Sequence, residues 1–181
     1  MRDPRHHLEP GSERQGVGGI VADVKPGKDH IGLGVGAIIH DGAGRILLLK
    51  RSKTLDASRS TVGLWSNPGG EVEFGETVEA AALREAREEL GVEVEIERTI
   101  GHTDQILPAS GVHWHLMAFL TRIVRGEPRI MEPEKSDELA WFEVDALPEN
   151  CGIHHVIIPL QQLGWITEEE ARRRIASTPE S

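Results

Sequence analysis

Apolar and polar positions change rhythm several times along the chain, and each change predicts an element. The apolar run Ile31–Ile39 meets a second, Ile46–Leu49, across His40-Asp41-Gly42-Ala43-Gly44. Asp-Gly between two apolar runs is a hairpin signal, here over 31–51. Glycines interleaved in the first run weaken its strand preference or mark close approach by another backbone or a ligand. Residues 52–64 are polar and loop-like, and Trp65-Ser66-Asn67-Pro68-Gly69-Gly70 then punctuates sharply. Glu71-Val72-Glu73-Phe74 alternates like a short strand.

The clearest helix runs from Thr77 to Leu90. Thr77 is a suitable N-cap, the interior is almost all strong helix formers, and Gly91 stands where a left-handed C-terminal residue belongs. Val92 to Ile100 and His113 to Ile123 read as strands, the second following the turn Pro108-Ala-Ser-Gly111, and Leu139 to Val144 as a third. Helices are expected over His155 to Leu163 and Thr167 to Ala176, the latter opening with Thr and three glutamates. Without βαβ regularity, this mixture predicts α+β or mixed α/β layers, not a doubly wound sheet. Residues 1–30 read as an extension with one apolar patch, Gly19-Ile20-Val21-Ala22, partly disordered or docked as an edge strand. The main domain is expected over 31–163, with a helical tail over 164–181.

Composition narrows the function classes. Apolar residues make up 38% and charged residues 28%, as in ordinary soluble domains. No apolar run approaches the ~20 residues of a membrane helix. Met1–His7 has no apolar core behind it, unlike a signal peptide, so a cytoplasmic location is expected. One cysteine, Cys151, excludes a disulfide framework and a Cys-cluster metal site. The balance of 20 basic against 30 acidic residues, −10, disfavours polymeric nucleic acid and anionic membrane as partners. A small phosphate ester remains compatible if a cation mediates its contact.

Candidate chemistry sits on the helix from Thr77. At about 100° per residue, Glu85, Glu88 and Glu89 share an arc of about 100° that borders the apolar face, with Arg84 beside it. Glu/Arg-rich helices are ordinarily just solvated, and like charges at i, i+4 cost only about 0.2–0.5 kcal/mol. What separates this helix from that ordinary case lies ahead of it. The order is Gly70, five residues, Glu76, seven residues, then Arg84-Glu85-Ala86-Arg87-Glu88-Glu89-Leu90-Gly91-Val92. Seven fixed residues at ~0.1 each over ~160 windows give a chance match near ~10⁻⁵.

This pattern resembles the Nudix box, the signature of a family of phosphoanhydride hydrolases. Two departures are Ala86, smaller than the usual aliphatic, and Asn67, where a hydrophobic residue is commoner. The resemblance spans about residues 31–163 and implies an α/β/α sandwich around a mixed sheet, with the box as loop–helix–loop. It implies Mg²⁺, with Mn²⁺ as a substitute, held by Glu85, Glu88, Glu89 and the carbonyl of Gly69. Arg84 would orient Glu88 or Glu89, and Glu76 would support them. The general base would be Glu85 or, outside the box, Glu134 in Met131-Glu-Pro-Glu-Lys135. Hard oxygen donors on one helix face suit Mg²⁺, which shares its sites with substrate phosphates. The box segment 70–92 holds seven Glu and two Arg and so carries −5 of the −10, a concentration easier to understand with cations present.

The implied substrate is a small nucleotide, first a nucleoside triphosphate, normal or oxidised, with ADP-ribose or a nucleotide sugar as the alternative. The stretch around Glu134 points to the first. Pro108, 16 residues after Val92, points to the second, although proline in a turn needs no such reason. Candidate substrate-binding residues are Arg51, matching a phosphate-contacting arginine; Trp65, stacking on a base or packing in the core; and His113 and His115, alternating on one strand face or forming plain polar surface. Cys151-Gly-Ile-His154-His155 lacks the second ligand pair that zinc requires. Family members are often homodimers. A catalytically silent binding module would be marked by loss of box carboxylates, and none is lost here.

Overall fold

The computed structural model describes residues 24–52 and 62–177. The Gly19–Ala22 patch and most of the 52–64 loop lie outside these residues. Among these residues one seven-stranded sheet forms, five of its strands in the order β3-β2-β1-β6-β5, where β1 is Gly32–His40, β2 Arg45–Arg51, β3 Trp65–Ser66, β5 Glu93–Leu107 and β6 Val112–Arg125. The other two of the seven, β4 (Gly69–Glu71) and β7 (Ser136–Glu143), pair with β1 and β2 respectively. The β1–β6 pair is parallel and the other pairings are antiparallel, so the sheet is mixed. Helices α1 (Val78–Leu90), α2 (Ile158–Gln162) and α3 (Glu168–Ser177) complete the fold.

The two sheet faces bury different partners, because side chains alternate along each strand. Ile38, Ile46, Leu48 and Leu120 pack with Val156, Ile157 and Leu160 of the C-terminal helical segment. Ala37, Ile39, Leu47 and Leu49 pack on the opposite face with Ala86 and Leu90 of α1, and Val35 and Phe119 with Ala81 and Ala82. This is the expected three-layer sandwich. Ala81, Ala82 and Ala86 are all 0% exposed, so α1 presents its smallest side chains to the sheet. The small residue at 86 therefore belongs to a close helix–sheet contact.

Several boundaries differ from the expectation. Glu71–Phe74 is not a strand: the ladder is Gly69–Glu71 and the Phe74 ring stands fully in solvent. β5 continues past Ile100 to Leu107, because this polar stretch pairs with β6 almost to the turn. The helix expected from His155 begins as a wider π-type turn over Ile153–Ile157 before α2. The interleaved glycines do mark close approach. A Cβ on Gly32 would lie 2.4 Å from the Trp114 ring, and one on Gly36 2.2 Å from the Asn67 amide. No helix among the described residues is long and apolar enough to cross a membrane.

The close seating of α1 is open to test. Ala82→Leu is expected to cost about 1–3 kcal/mol through overpacking. Ala80→Leu, on the exposed side of the same helix, should be nearly neutral. Urea denaturation of both variants checks this; equal midpoints would contradict the packing described.

Candidate active site

Two chain segments build the site around α1. The first is the loop ahead of it, fixed to β1 by Gly69 opposite Gly36 and Gly70 opposite Val35. A Cβ on Gly69 would fall 2.2 Å from the Val35 carbonyl oxygen, and one on Gly70 2.3 Å from Glu85 Oε1. The missing side chain of Gly70 is thus the space that the Glu85 carboxylate occupies. Asn67 anchors the loop from the other sheet face. It is 3% exposed, and its amide, oriented to satisfy both neighbours, donates to the His155 carbonyl at 2.8 Å and accepts from Ala37 N–H at 3.0 Å. Pro159 has no N–H to offer the carbonyl four residues back, so a local helix bond to His155 is absent there.

Helix α1 starts where expected. Thr77 is extended and its hydroxyl accepts from Ala80 N–H at 3.2 Å; Gly91, at φ 69°, donates its N–H to the Arg87 carbonyl. Arg84 organises the exposed side of the site. Its guanidinium donates to both carboxylate oxygens of Glu76 (3.2 and 2.8 Å), to Glu85 (2.8 Å), to Glu88 (3.0 Å) and to the Glu71 carbonyl (2.9 Å). Its proton affinity is raised, chiefly by Glu76, whose own carboxyl is held below the usual range by Arg84 and the Glu73 N–H. Arg84 therefore aligns Glu85 and Glu88, not Glu89.

Glu89 faces inward. It is 6% exposed and its carboxylate accepts from the Gly69 N–H at 3.0 Å. Burial pushes its pKa up to about 7; Arg51 and the Gly69 N–H pull it down, and Glu85 and Glu132 push it further up. Glu85 is raised too, mainly by burial, against the pull of Arg84 and, more weakly, Lys135. A buried carboxylate with further carboxylates around it binds a proton or another cation readily.

The second segment is the loop between β6 and β7. Arg129 N–H donates to the Leu90 carbonyl at 3.1 Å and Met131 N–H to the Glu89 carbonyl at 3.0 Å, so the loop caps the last turn of α1. Ser52 N–H, just past β2, donates to the Lys135 carbonyl at 2.8 Å. This brings Glu132 and Lys135 to the carboxylates, and Glu132 holds Lys135 Nζ at 2.7 Å. Sequence reasoning missed both residues; their signal was the alternation of acid and base in Glu132-Pro-Glu-Lys135. Glu134, chosen instead, is exposed. Arg51 is half-buried and lies within the electrostatic field of Glu89, as a phosphate contact would require.

The remaining candidates stand apart. Trp65 is 7% exposed and meets the Phe142 ring edge-on at 4.7 Å within the core, so its ring serves packing. His113 and His115 share a strand face as expected, on the β6 end that pairs with β5. His115 Nδ1 is 2.8 Å from Asp104 and its ring is 5.0 Å from that of His102. Cys151 is 2% exposed, and burial pushes its thiol up to about 12. His154 instead contacts the Thr103 hydroxyl at 3.3 Å.

Among the described residues no three acidic, imidazole or thiol groups converge on one point. Arg84 draws Glu85 and Glu88 to itself while Glu89 turns to Gly69. The donors are nonetheless all oxygens from one helix face and an adjoining glycine loop, which is the donor chemistry of a hard divalent cation.

Known proteins resemble this chain. A family profile for the NUDIX domain matches residues 30–161. The structure of a MutT NUDIX hydrolase from Burkholderia pseudomallei is 38% identical, with a TM-score of 0.65, covering 74% of this chain and 98% of that one. The oxidized purine nucleoside triphosphate hydrolase of Danio rerio is 34% identical over 109 residues, 58% of this chain and 62% of that protein. The ADP-ribose pyrophosphatase of Methanocaldococcus jannaschii is 31% identical over 116 residues, 63% of each. The chain spans 25% to 63% of the length of such curated relatives. With the profile match covering most of its length and the box helix, glycine loop and mixed sheet in place, the chain belongs to the Nudix hydrolase family.

Proposed function

We propose that this protein uses a divalent cation to hydrolyse a phosphoanhydride of a nucleoside diphosphate linked to a further group X. The first substrate is a nucleoside triphosphate, normal or oxidised, giving monophosphate and pyrophosphate. The observation that carries this reading is Glu89. It is a buried carboxylate hydrogen-bonded to the Gly69 N–H, with Glu85 and Glu132 adding negative charge around it. Folding such a cluster makes physical sense if cations occupy it.

Glu85, Glu88, Glu89 and the Gly69 carbonyl would hold Mg²⁺, with Mn²⁺ as a substitute. The ion supplies charge neutralisation on phosphate oxygens and makes water more acidic. The chain's own residues do the rest. Arg84 holds Glu85 and Glu88 in line through its bonds to both. Glu85 takes the proton of the attacking water, a role helped by its raised proton affinity. Glu134 is the second candidate for that role. Arg51, at the end of β2 and within electrostatic reach of Glu89, contacts phosphate.

Similarity to the Danio protein, named for oxidized purine nucleoside triphosphates, supports the triphosphate. Similarity to the Methanocaldococcus pyrophosphatase and the spacing of Pro108 support ADP-ribose or a nucleotide sugar as the second reading. Product chromatography over triphosphates (including 8-oxo-dGTP), ADP-ribose and nucleotide sugars separates them. Pyrophosphate release supports the first and AMP plus ribose 5-phosphate the second. Silence with Mg²⁺ and Mn²⁺ would favour a non-catalytic binding module. Glu89→Gln is expected to lower kcat by at least about 100-fold with the fold intact; unchanged turnover would contradict the cation assignment.

Glu89 also sets a pH dependence in cation-free protein. Its folded pKa of about 7 exceeds the unfolded 4.5. Its contribution is therefore fully present below pH 4.5 and is lost as pH rises through 7. This amounts to up to about 3 kcal/mol. In EDTA, wild type should lose stability between pH 5 and 8 relative to Glu89→Gln. Parallel denaturation midpoints for the two proteins across that range would refute this.

A further inference from the structure

We propose that Lys135 is a phosphate-binding residue of this site, parked on Glu132 until a cation-bound polyphosphate arrives. This rests on reading the site as that of a phosphoanhydride hydrolase. The root of the side chain is fixed. The Lys135 carbonyl accepts from Ser52 N–H at 2.8 Å, its N–H donates to the Glu132 carbonyl at 2.9 Å, and Met131 ties the same loop to the Glu89 carbonyl. Lys135 thus stands between the end of β2, which carries Arg51, and the last turn of α1, which carries Glu88 and Glu89.

The ammonium group has freedom that the Arg84 guanidinium lacks. Arg84 makes five hydrogen bonds to four residues and cannot turn to substrate without dismantling the alignment of Glu85 and Glu88. The Lys135 side chain is 46% exposed and is hydrogen-bonded to Glu132 at 2.7 Å. The charges of Glu85 and Glu89 act on it as well. An exposed pair three residues apart is worth little and exchanges readily. Lysine suits exchange, being a compact charge on a flexible stem. With the carboxylates neutralised by divalent cations, the strongest remaining anion in reach is phosphate. Lys135 and Arg51 then approach a bound polyphosphate from the loop and the strand.

The test uses probes without a base, because the X group is open. Calorimetry measures inorganic pyrophosphate binding in Mg²⁺, and Mn²⁺ binding alone, to wild type, Lys135→Gln and Lys135→Arg. Lys135→Gln is expected to weaken pyrophosphate binding about tenfold, with Lys135→Arg recovering most of it. Mn²⁺ alone should bind Lys135→Gln at least as tightly as wild type, because a competing positive charge is gone. On a hydrolysed nucleotide, KM should rise by more than kcat falls. Equal pyrophosphate affinity in wild type and Lys135→Gln would overturn the assignment, as would loss of Mn²⁺ binding in Lys135→Gln, which would mark a structural role. Wild type that binds neither Mn²⁺ nor pyrophosphate would overturn the hydrolase reading beneath it.

Discussion

Glu89 is held at both ends. Its carboxylate takes the N–H of Gly69 from the loop ahead of α1, and its carbonyl takes the N–H of Met131 from the loop before β7. One residue thus joins three segments that are far apart in sequence. Burying its carboxylate costs free energy, visible in the pKa pushed up to about 7, and the Gly69 hydrogen bond and the Arg51 charge offset only part of it. The alanine face of α1 lets the helix lie against the sheet, and this close seating is what buries Glu89.

The opposite sheet face contributes through Asn67. The absent side chain of Gly36 makes room for its amide, and Pro159 leaves the His155 carbonyl without its usual helical donor. The Asn67 amide links that carbonyl to Ala37 of β1. The loop carrying Gly69 and Gly70 is therefore pinned by Asn67 from one side of the sheet and by Glu89 from the other. Such two-sided support gives a site on a loop the precision of one on a strand.

How much of this was legible in the sequence follows from how local each signal is. The helix from Thr77 to Gly91 was readable because cap, interior and stop lie within fifteen residues and agree. The Asp41 turn was readable for the same reason: its carboxylate accepts from the N–H groups of Ala43 and Arg45. Residues 101–107 were not, since Gly101-His-Thr-Asp-Gln owes its strand form to pairing with β6. Glu71–Phe74 misled because its alternation runs on past the end of the ladder, where β1 pairs with Glu71 and takes the Val72 N–H at the Leu33 carbonyl but leaves Glu73 and Phe74 outside the strand. At the site, Arg84, Glu85, Glu88 and Glu89 were candidates because their segment resembles the Nudix box. Glu132 and Lys135 needed the backbone bonds of Arg129 and Met131 to α1, which no spacing records. Trp65 could not be divided between core and substrate until Phe142 was seen against it. Asn67, read as a departure from the family pattern, acquires a reason only with Gly36 and Pro159 beside it.

On the function proposed, the cluster around Glu89 would hold a cation whose place a proton takes when the cation is absent. Proton release on cation binding measures this directly, by titrating Mg²⁺ calorimetrically in buffers of different ionisation heat. About one proton should leave per site at pH 6, falling toward none at pH 8.5, well above the Glu89 value. Buffer-independent heats at both pH values, with Mg²⁺ bound, would contradict the account.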